Sequence, residues 1–241
     1  AGRHEVILRD LSRANPFELF TDEVKNSYLR CSYKWSFHHI PSLLIRVRKG
    51  ELESWVIWAI LALSIRFSDK APAPFKTPIE ASNAYCAHAR QILQPDIEQP
   101  TLGRIQALLM ITGHSWGAGE GRRAWIYLGM AVRMAQVMGL FDESAYARKH
   151  NGSVSSQEFI AAEEQRRTAW TCFLMDSLLS GGKGRKRTLN ADDMQIQLPS
   201  DTDNFIFGEP VRCERLNGML SGDPGLGPVG ELGIIAYSMR A

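Results

Sequence analysis

The sequence predicts an all-α protein: a multi-helix bundle of about seven helices followed by an irregular Gly/Pro-rich C-terminal stretch. Three observations carry that prediction. Apolar residues recur at spacings of three and four in one segment after another, which is the period of a helix face. Two of these segments open on a Thr or Ser cap with Glu three residues on. No segment shows a convincing alternation of apolar and polar residues of the kind a half-buried strand needs.

The elements follow in order. Residues 1–14 are polar and charged and read as a flexible N-terminal segment, and 15–241 as a single helical domain. Asn15-Pro16 suits a cap and first helical position, and Phe17, Phe20, Val24, Tyr28, Cys31 and Trp35 then share one face. Pro41 should end that helix. A second helix, from about Leu52 to Phe67, carries Trp55, Trp58, Ile60, Leu61 and Ile65 and leaves little polar face, so it should lie deep in the core. Ala71-Pro72-Ala73-Pro74 is a turn. Thr77-Pro78-Ile79-Glu80 opens a third helix as a capping box, and Pro95 limits it. A fourth starts after Thr101.

The next begins near Gly121, with Trp125, Leu128, Val132 and Ala135 on one stripe; Gly129, Ala131 and Ala135 would let a neighbouring helix approach closely. Gly139 suits the left-handed residue after a helix end. Ser155-Ser156-Gln157-Glu158 opens a long helix through Trp170 and Leu178 that stops at Gly181-Gly182. Beyond Asn190 glycines and prolines punctuate the chain. A last apolar run, Leu232 to Met239, ends so abruptly that the domain is expected to be truncated at its C-terminus.

Composition narrows the function. The 241 residues are 44% apolar and 22% charged with a formal charge of +2, so no global basic field for gripping nucleic acid is present. Cys31, Cys86, Cys172 and Cys213 lie far apart, which suits neither a disulfide scaffold nor a zinc site, and a reducing intracellular compartment is expected. No signal peptide is visible, and Ser54 to Ile65 is too short to span a bilayer roughly 30 Å thick.

Several motifs invite chemistry. Gly113-His114-Ser115-Trp116-Gly117 matches the nucleophile elbow G-x-S-x-G, but no strand precedes it, and a Gly-rich helix–helix loop is the simpler reading. Gly117 to Gly121 lacks the G-K-[ST] ending of a phosphate loop, though Arg122 and Arg123 could meet an anion. Asp192-Asp193 reads as a turn or cap rather than a metal site. His38 and His39 diverge by about 100° on a helix and have no i+4 partner, so no metal site is expected. Lys183-Gly184-Arg185-Lys186-Arg187 is a solvated loop that could double as a nuclear-import signal.

The most distinctive patch is Glu163-Glu164-Gln165-Arg166-Arg167 with Trp170 and Asp176. Glu163 and Arg167 can pair at i, i+4. Arg166 shares a face with Trp170, where its guanidinium could lie over the indole. Asp176 lies among apolar residues and wants an Arg partner, expected to be Arg166 or Arg167. This is an internal ion-pair network with a structural role; no catalytic, metal-binding or cofactor-binding residue is assigned.

These residues resemble a known family. Ala124-Trp125, Gly129, Ala131, Arg133, Ala135 and Gly139-Leu140 are similar to the A-W-x3-G-x-A-x-R-x-A-x3-G-L stretch of the fungal-specific transcription factor domain. This is the middle homology region of zinc-cluster regulators, of the xylanolytic-activator type. Glu163/Glu164, Arg166-Arg167, Trp170 and Asp176 resemble its E-x-x-R-R-x-x-W-x5-D helix, and Leu198-Pro199 its following L-P. Tyr28 to Phe37 and Ser54 to Ser68 resemble its opening helices, so the likeness covers about 20 to 240.

The resemblance implies a regulatory region that restrains or licenses activation. It further implies a nuclear location, a small-molecule effector, co-regulator proteins or a homodimer, and no membrane. Zinc and DNA binding would belong to an N-terminal six-cysteine cluster absent from this chain, which itself needs no cofactor. The competing readings are a stand-alone helical enzyme or small-molecule-binding protein on the same scaffold, with a titratable cluster around His38, His39 or His114, and a partner-binding helical module without effector.

Overall fold

Apolar periodicity and local caps place most of the helices. The computed structural model describes residues 7, 9–31, 37–146, 153–182, 184–220 and 224–240. Its helices with defined bounds are α1 (Asp22–Cys31), α2 (Ile40–Lys49), α3 (Ser54–Ile65), α4 (Pro78–Leu93), α5 (Leu102–Gly117), α6 (Gly121–Val137), α7 (Ser156–Leu179), α8 (Thr202–Phe207) and α9 (Ile234–Arg240). Among the described residues there is no β-sheet, only isolated bridges. The class is all-α, with more helices than the sequence suggested.

The caps explain the starts. Thr77 Oγ1 accepts from Glu80 N at 3.1 Å and Thr101 Oγ1 from Arg104 N at 3.2 Å. Ser155 and Glu158 form a full capping box at the start of α7. Gly139 closes α6 at φ +69, with Leu140 N donating to Ala135 O and Gly139 N to Gln136 O, the Schellman pattern.

Packing divides the chain into two compact units, residues 1–35 with 43–131, and residues 36–42 with 132–241, within what the sequence suggests as one domain. In the first, α3 packs against α1, α4 and α5. Its residues Val56 to Ile65 are all buried, as a helix without a polar side must be. Trp58 meets Tyr85 and His88 edge-on, with ring centroids 5.2 and 4.8 Å apart. The second unit is built on α7 and α8 and on an extended run in which Met194, Ile196 and Leu198 point inward.

Five expectations are corrected. Residues 9–11 are helical and Leu11 is buried, not flexible. Asn15-Pro16 makes a turn, Asn15 Oδ1 accepting from Phe17 N, and the helix begins only after Thr21; Trp35 lies outside the described residues. Pro41 sits in the first turn of α2, where its missing N–H costs nothing, so it opens a helix instead of ending one. Gly113 to Gly117 is the last turn of α5, not a loop. Finally, Trp125 is 38% exposed and Gly129 has open space where a Cβ would stand. The buried stripe of α6 is Ala124, Leu128, Ala131, Val132 and Ala135, so Leu128, Val132 and Ala135 lie where the sequence puts them and Ala124 takes the place expected for Trp125. Arg133 is solvent-facing and bonds Gln136.

Candidate functional site

Part of the distinctive patch, Glu163, Arg167 and Trp170, meets one segment of the second unit. Glu163 and Arg167 are each 2% exposed on α7, one turn apart. Glu163 Oε1 accepts from Arg167 Nε at 2.8 Å, from Ser200 N at 2.8 Å and from Ser200 Oγ at 2.9 Å. Arg167 Nη2 donates to Ser200 O at 2.7 Å, and its guanidinium lies 4.2 Å from the Phe205 ring centre. Trp170, fully buried, donates Nε1–H to Gln197 O at 2.7 Å. Pro199 is buried between them, where its lack of an N–H leaves one donor fewer to satisfy. The helix thereby fixes the 197–200 segment through bonds to its main chain, a clamp rather than a reactive centre.

Two pairings differ from the sequence expectation. Asp176 is 1% exposed but pairs with neither Arg166 nor Arg167; its Oδ2 accepts from Thr188 N at 2.7 Å and Leu189 N at 2.8 Å. Arg166 does not stack on Trp170. It donates to Glu143 Oε1 at 2.6 Å and lies 4.6 Å from the Tyr146 ring centre. Glu143 also accepts from Gln197 N and Nε2, both at 2.9 Å, and Gln197 Oε1 takes Cys213 N at 2.7 Å. Glu143 stands 23 residues from Arg166 in a single 3-10 turn, Glu143–Tyr146, so no periodic signal announces it. Asp176→Ala leaves the buried Leu189 N–H and the part-buried Thr188 N–H without their acceptor and is expected to cost on the order of 3 kcal/mol in urea melts; an unchanged midpoint would mean that these two bonds do not hold the loop after α7.

His38, His39, His88 and His114 are buried. His39 is committed to structure. Its Nδ1 accepts from Ser42 N at the start of α2, its Nε2 meets Ile206 O at 3.0 Å, and its backbone N–H donates to Glu164. His114 differs. It is 3% exposed and lines a cavity of about 590 Å³ in the first unit, between α4, α5 and the start of α6. Ile7, Phe75, Ala84 and Ala87 give the cavity apolar walls, and Arg90, Arg123, Glu80 and Glu120 its charge. Arg123 is paired with Glu120. Arg90 approaches the Cys86 sulfur at 3.7 Å and forms no ion pair among the described residues.

The hydrogen bonds set the state of His114. Ser82 spends its hydroxyl proton on Ala62 O at 2.7 Å, so at 3.0 Å it accepts from His114 Nε2–H. Nδ1 is then a bare, buried acceptor without a partner among the described residues. Burial first, then the guanidiniums of Arg66 and Arg90, push His114 down to about 4. The direction of the Ser82 bond is the reverse of what nucleophile activation requires, since the imidazole gives the proton and does not take it. Ser115 is likewise no nucleophile on an elbow; it is buried within α5.

Because the unfolded chain binds this proton near 6.5 and the folded one only near 4, stability falls as pH drops through that window. The loss is on the order of 3 kcal/mol. Urea melts at neutral pH and near pH 4 check it, with a His114→Gln variant expected to lose that part of the dependence.

Among the described residues no three His, Cys, Asp or Glu side chains gather in a way that could hold a metal ion. Burial pushes the Cys86 thiol up to about 11 and Cys213 to about 12, and raises Cys172, which suits neutral core thiols and not thiolate ligands. No helix of the described residues is long and apolar enough to cross a membrane.

Comparison with known proteins matches residues 25–223 to the fungal specific transcription factor domain. A Zn(2)-C6 fungal-type transcription factor, FTF1c, of Fusarium oxysporum f. sp. lycopersici is 28% identical over 100% of this chain and 27% of its own length. Two transcriptional regulatory proteins of Schizosaccharomyces pombe are also similar. One is 28% identical over 88% of this chain and 23% of its own length; the other is 32% identical over 68% and 24%. The chain thus spans about a quarter of the length of the curated relatives it matches. No solved structure matches it.

Proposed function

This chain belongs to the fungal specific transcription factor domain family and is a regulatory region of a fungal transcription factor, and we propose that it regulates by changing its packing when a small molecule enters the cavity beside His114. The observation that carries the proposal is the cavity itself. At about 590 Å³ it has the size of a small-ligand site, with apolar walls and the polar side chains of His114, Arg90, Arg123, Glu80 and Glu120 to fix orientation. Arg90 offers a guanidinium without a carboxylate partner among the described residues, so an apolar organic acid is the chemistry it favours. A ligand that prefers one packing shifts the population toward it, and the domain needs no catalysis for that. The Ser82–His114 geometry speaks against the enzyme reading for the same cavity.

The remaining roles belong to the same proposal. Sequence-specific DNA contact and zinc are assigned to a six-cysteine cluster in the part of the relatives that this chain does not span. The near-neutral charge supports that division, because nothing here supplies the basic field DNA binding needs. The protein works in the nucleus, with co-regulators or a second copy as macromolecular partners.

The test is a thermal-shift and native mass-spectrometry screen of the chain against a panel of small apolar carboxylic acids. A ligand at a hundredfold excess over its Kd stabilises by about 2.7 kcal/mol. Binding that Arg90→Ala and the cavity-filling Ala87→Trp both abolish supports the reading. Binding that survives both variants, or no binding across the panel, contradicts it.

A further inference from the structure

We propose that Thr188 is a phosphorylation site for an arginine-directed protein kinase, and that its phosphate releases the clamp Asp176 places on the loop after α7. The loop leaves α7 at Leu179 and runs without regular structure through 184–190. Arg185, Lys186 and Arg187 directly precede Thr188, so three cations stand on the N-terminal side of a hydroxyl. Kinases choose among hydroxyls by such charge patterns. Lys186, Arg187 and Thr188 are exposed, and the Thr188 hydroxyl has no partner among the described residues. An accessible hydroxyl on an irregular segment is what a kinase cleft can take up.

The same residue is where the loop is fastened. Thr188 N and Leu189 N both donate to Asp176 Oδ2, and Asp176 is buried. Arg187 holds the loop from outside, donating to Ser177 Oγ with its guanidinium 4.8 Å from the Phe173 ring centre. In the transfer, Thr188 Oγ1 attacks the γ-phosphorus of ATP. The Oγ1–P bond forms as the P–O bond to ADP breaks, and the hydroxyl proton passes to the kinase's catalytic aspartate.

The product carries close to two negative charges on the residue whose own N–H the Asp176 carboxylate holds. Like charges then oppose each other across the clamp. The new oxygens also compete for Arg185 and Arg187, as charge-assisted acceptors do, and draw Arg187 from Ser177 and Phe173. Both fastenings loosen in the same direction.

The experiment treats the chain with cyclic-AMP-dependent protein kinase and ATP, maps the phosphate by mass spectrometry and follows amide exchange. Phosphate on Thr188 that is lost in Thr188→Ala, restored in Thr188→Ser and reduced in Arg185→Ala supports the site. Phosphate absent, or placed elsewhere, overturns it. Because the hydroxyl is exposed, Thr188→Ala leaves the melt unchanged, so a negative result is not a failure to fold. Faster exchange of the Thr188 and Leu189 amides in the phosphorylated chain supports release of the clamp; unchanged exchange overturns that half of the proposal.

Discussion

Glu163→Gln is expected to destabilise the protein by about 3–5 kcal/mol, although it changes one oxygen for an NH₂ group. Glu163 and Arg167 have both left water, and each is 2% exposed. The pair holds because Arg167 Nε meets the carboxylate at 2.8 Å while Ser200 supplies two further donors to the same oxygen. Neutralising the acid removes the carboxylate facing a buried guanidinium that also meets Ser200 O and the Phe205 ring. The cost comes from stranding that charge more than from losing an attraction. The same logic makes Glu163→Gln combined with Arg167→Met less damaging than the sum of the two single changes. Urea melts of the three variants measure this. A loss below about 0.5 kcal/mol for Glu163→Gln would mean the pair is solvated, as exposed pairs are.

Trp170→Ala follows with an expected loss of about 3–5 kcal/mol. The indole is fully buried, packs edge-on against Phe173 at 5.6 Å and donates to Gln197 O. Alanine removes the packing and also leaves that carbonyl without its donor. Trp170→Phe separates the two terms, because it restores most of the ring but not the N–H. It should recover the larger part of the loss. Equal losses for Ala and Phe would show that the hydrogen bond, and not the packing, dominates.

How much of this was legible depends on the range of the interaction. Thr77, Thr101, Ser155 and Gly139 act on the backbone within a few residues; Ser155 and Glu158 close the expected capping box, whereas at Thr77 only the Thr half forms and Glu80 takes Lys76 N instead. The Glu163–Arg167 pair is equally local, one turn along α7. Pro41 is ambiguous in principle, since a proline after one helix and a proline in the first turn of the next look alike in sequence. On α6 the period places Leu128, Val132 and Ala135 correctly in the core, but it is the small Ala124, not its large neighbour Trp125, that is buried at the first turn.

Met194, Ile196 and Leu198 do alternate, but the intervening Gln197 is buried too, held by Glu143 and the Cys213 amide. Those contacts, like Arg166 to Glu143, cross stretches of chain that carry no period. The cavity was illegible for the same reason. His114, Arg90 and Arg123 come from three helices, and only packing brings them to one wall.

The most direct test of regulation places the chain between a heterologous DNA-binding domain and an activation region in a yeast reporter strain. A regulatory chain gives an output different from that of the fusion lacking it, with a further shift on Arg90→Ala at unchanged protein level and melting. Identical output with and without the chain would contradict it.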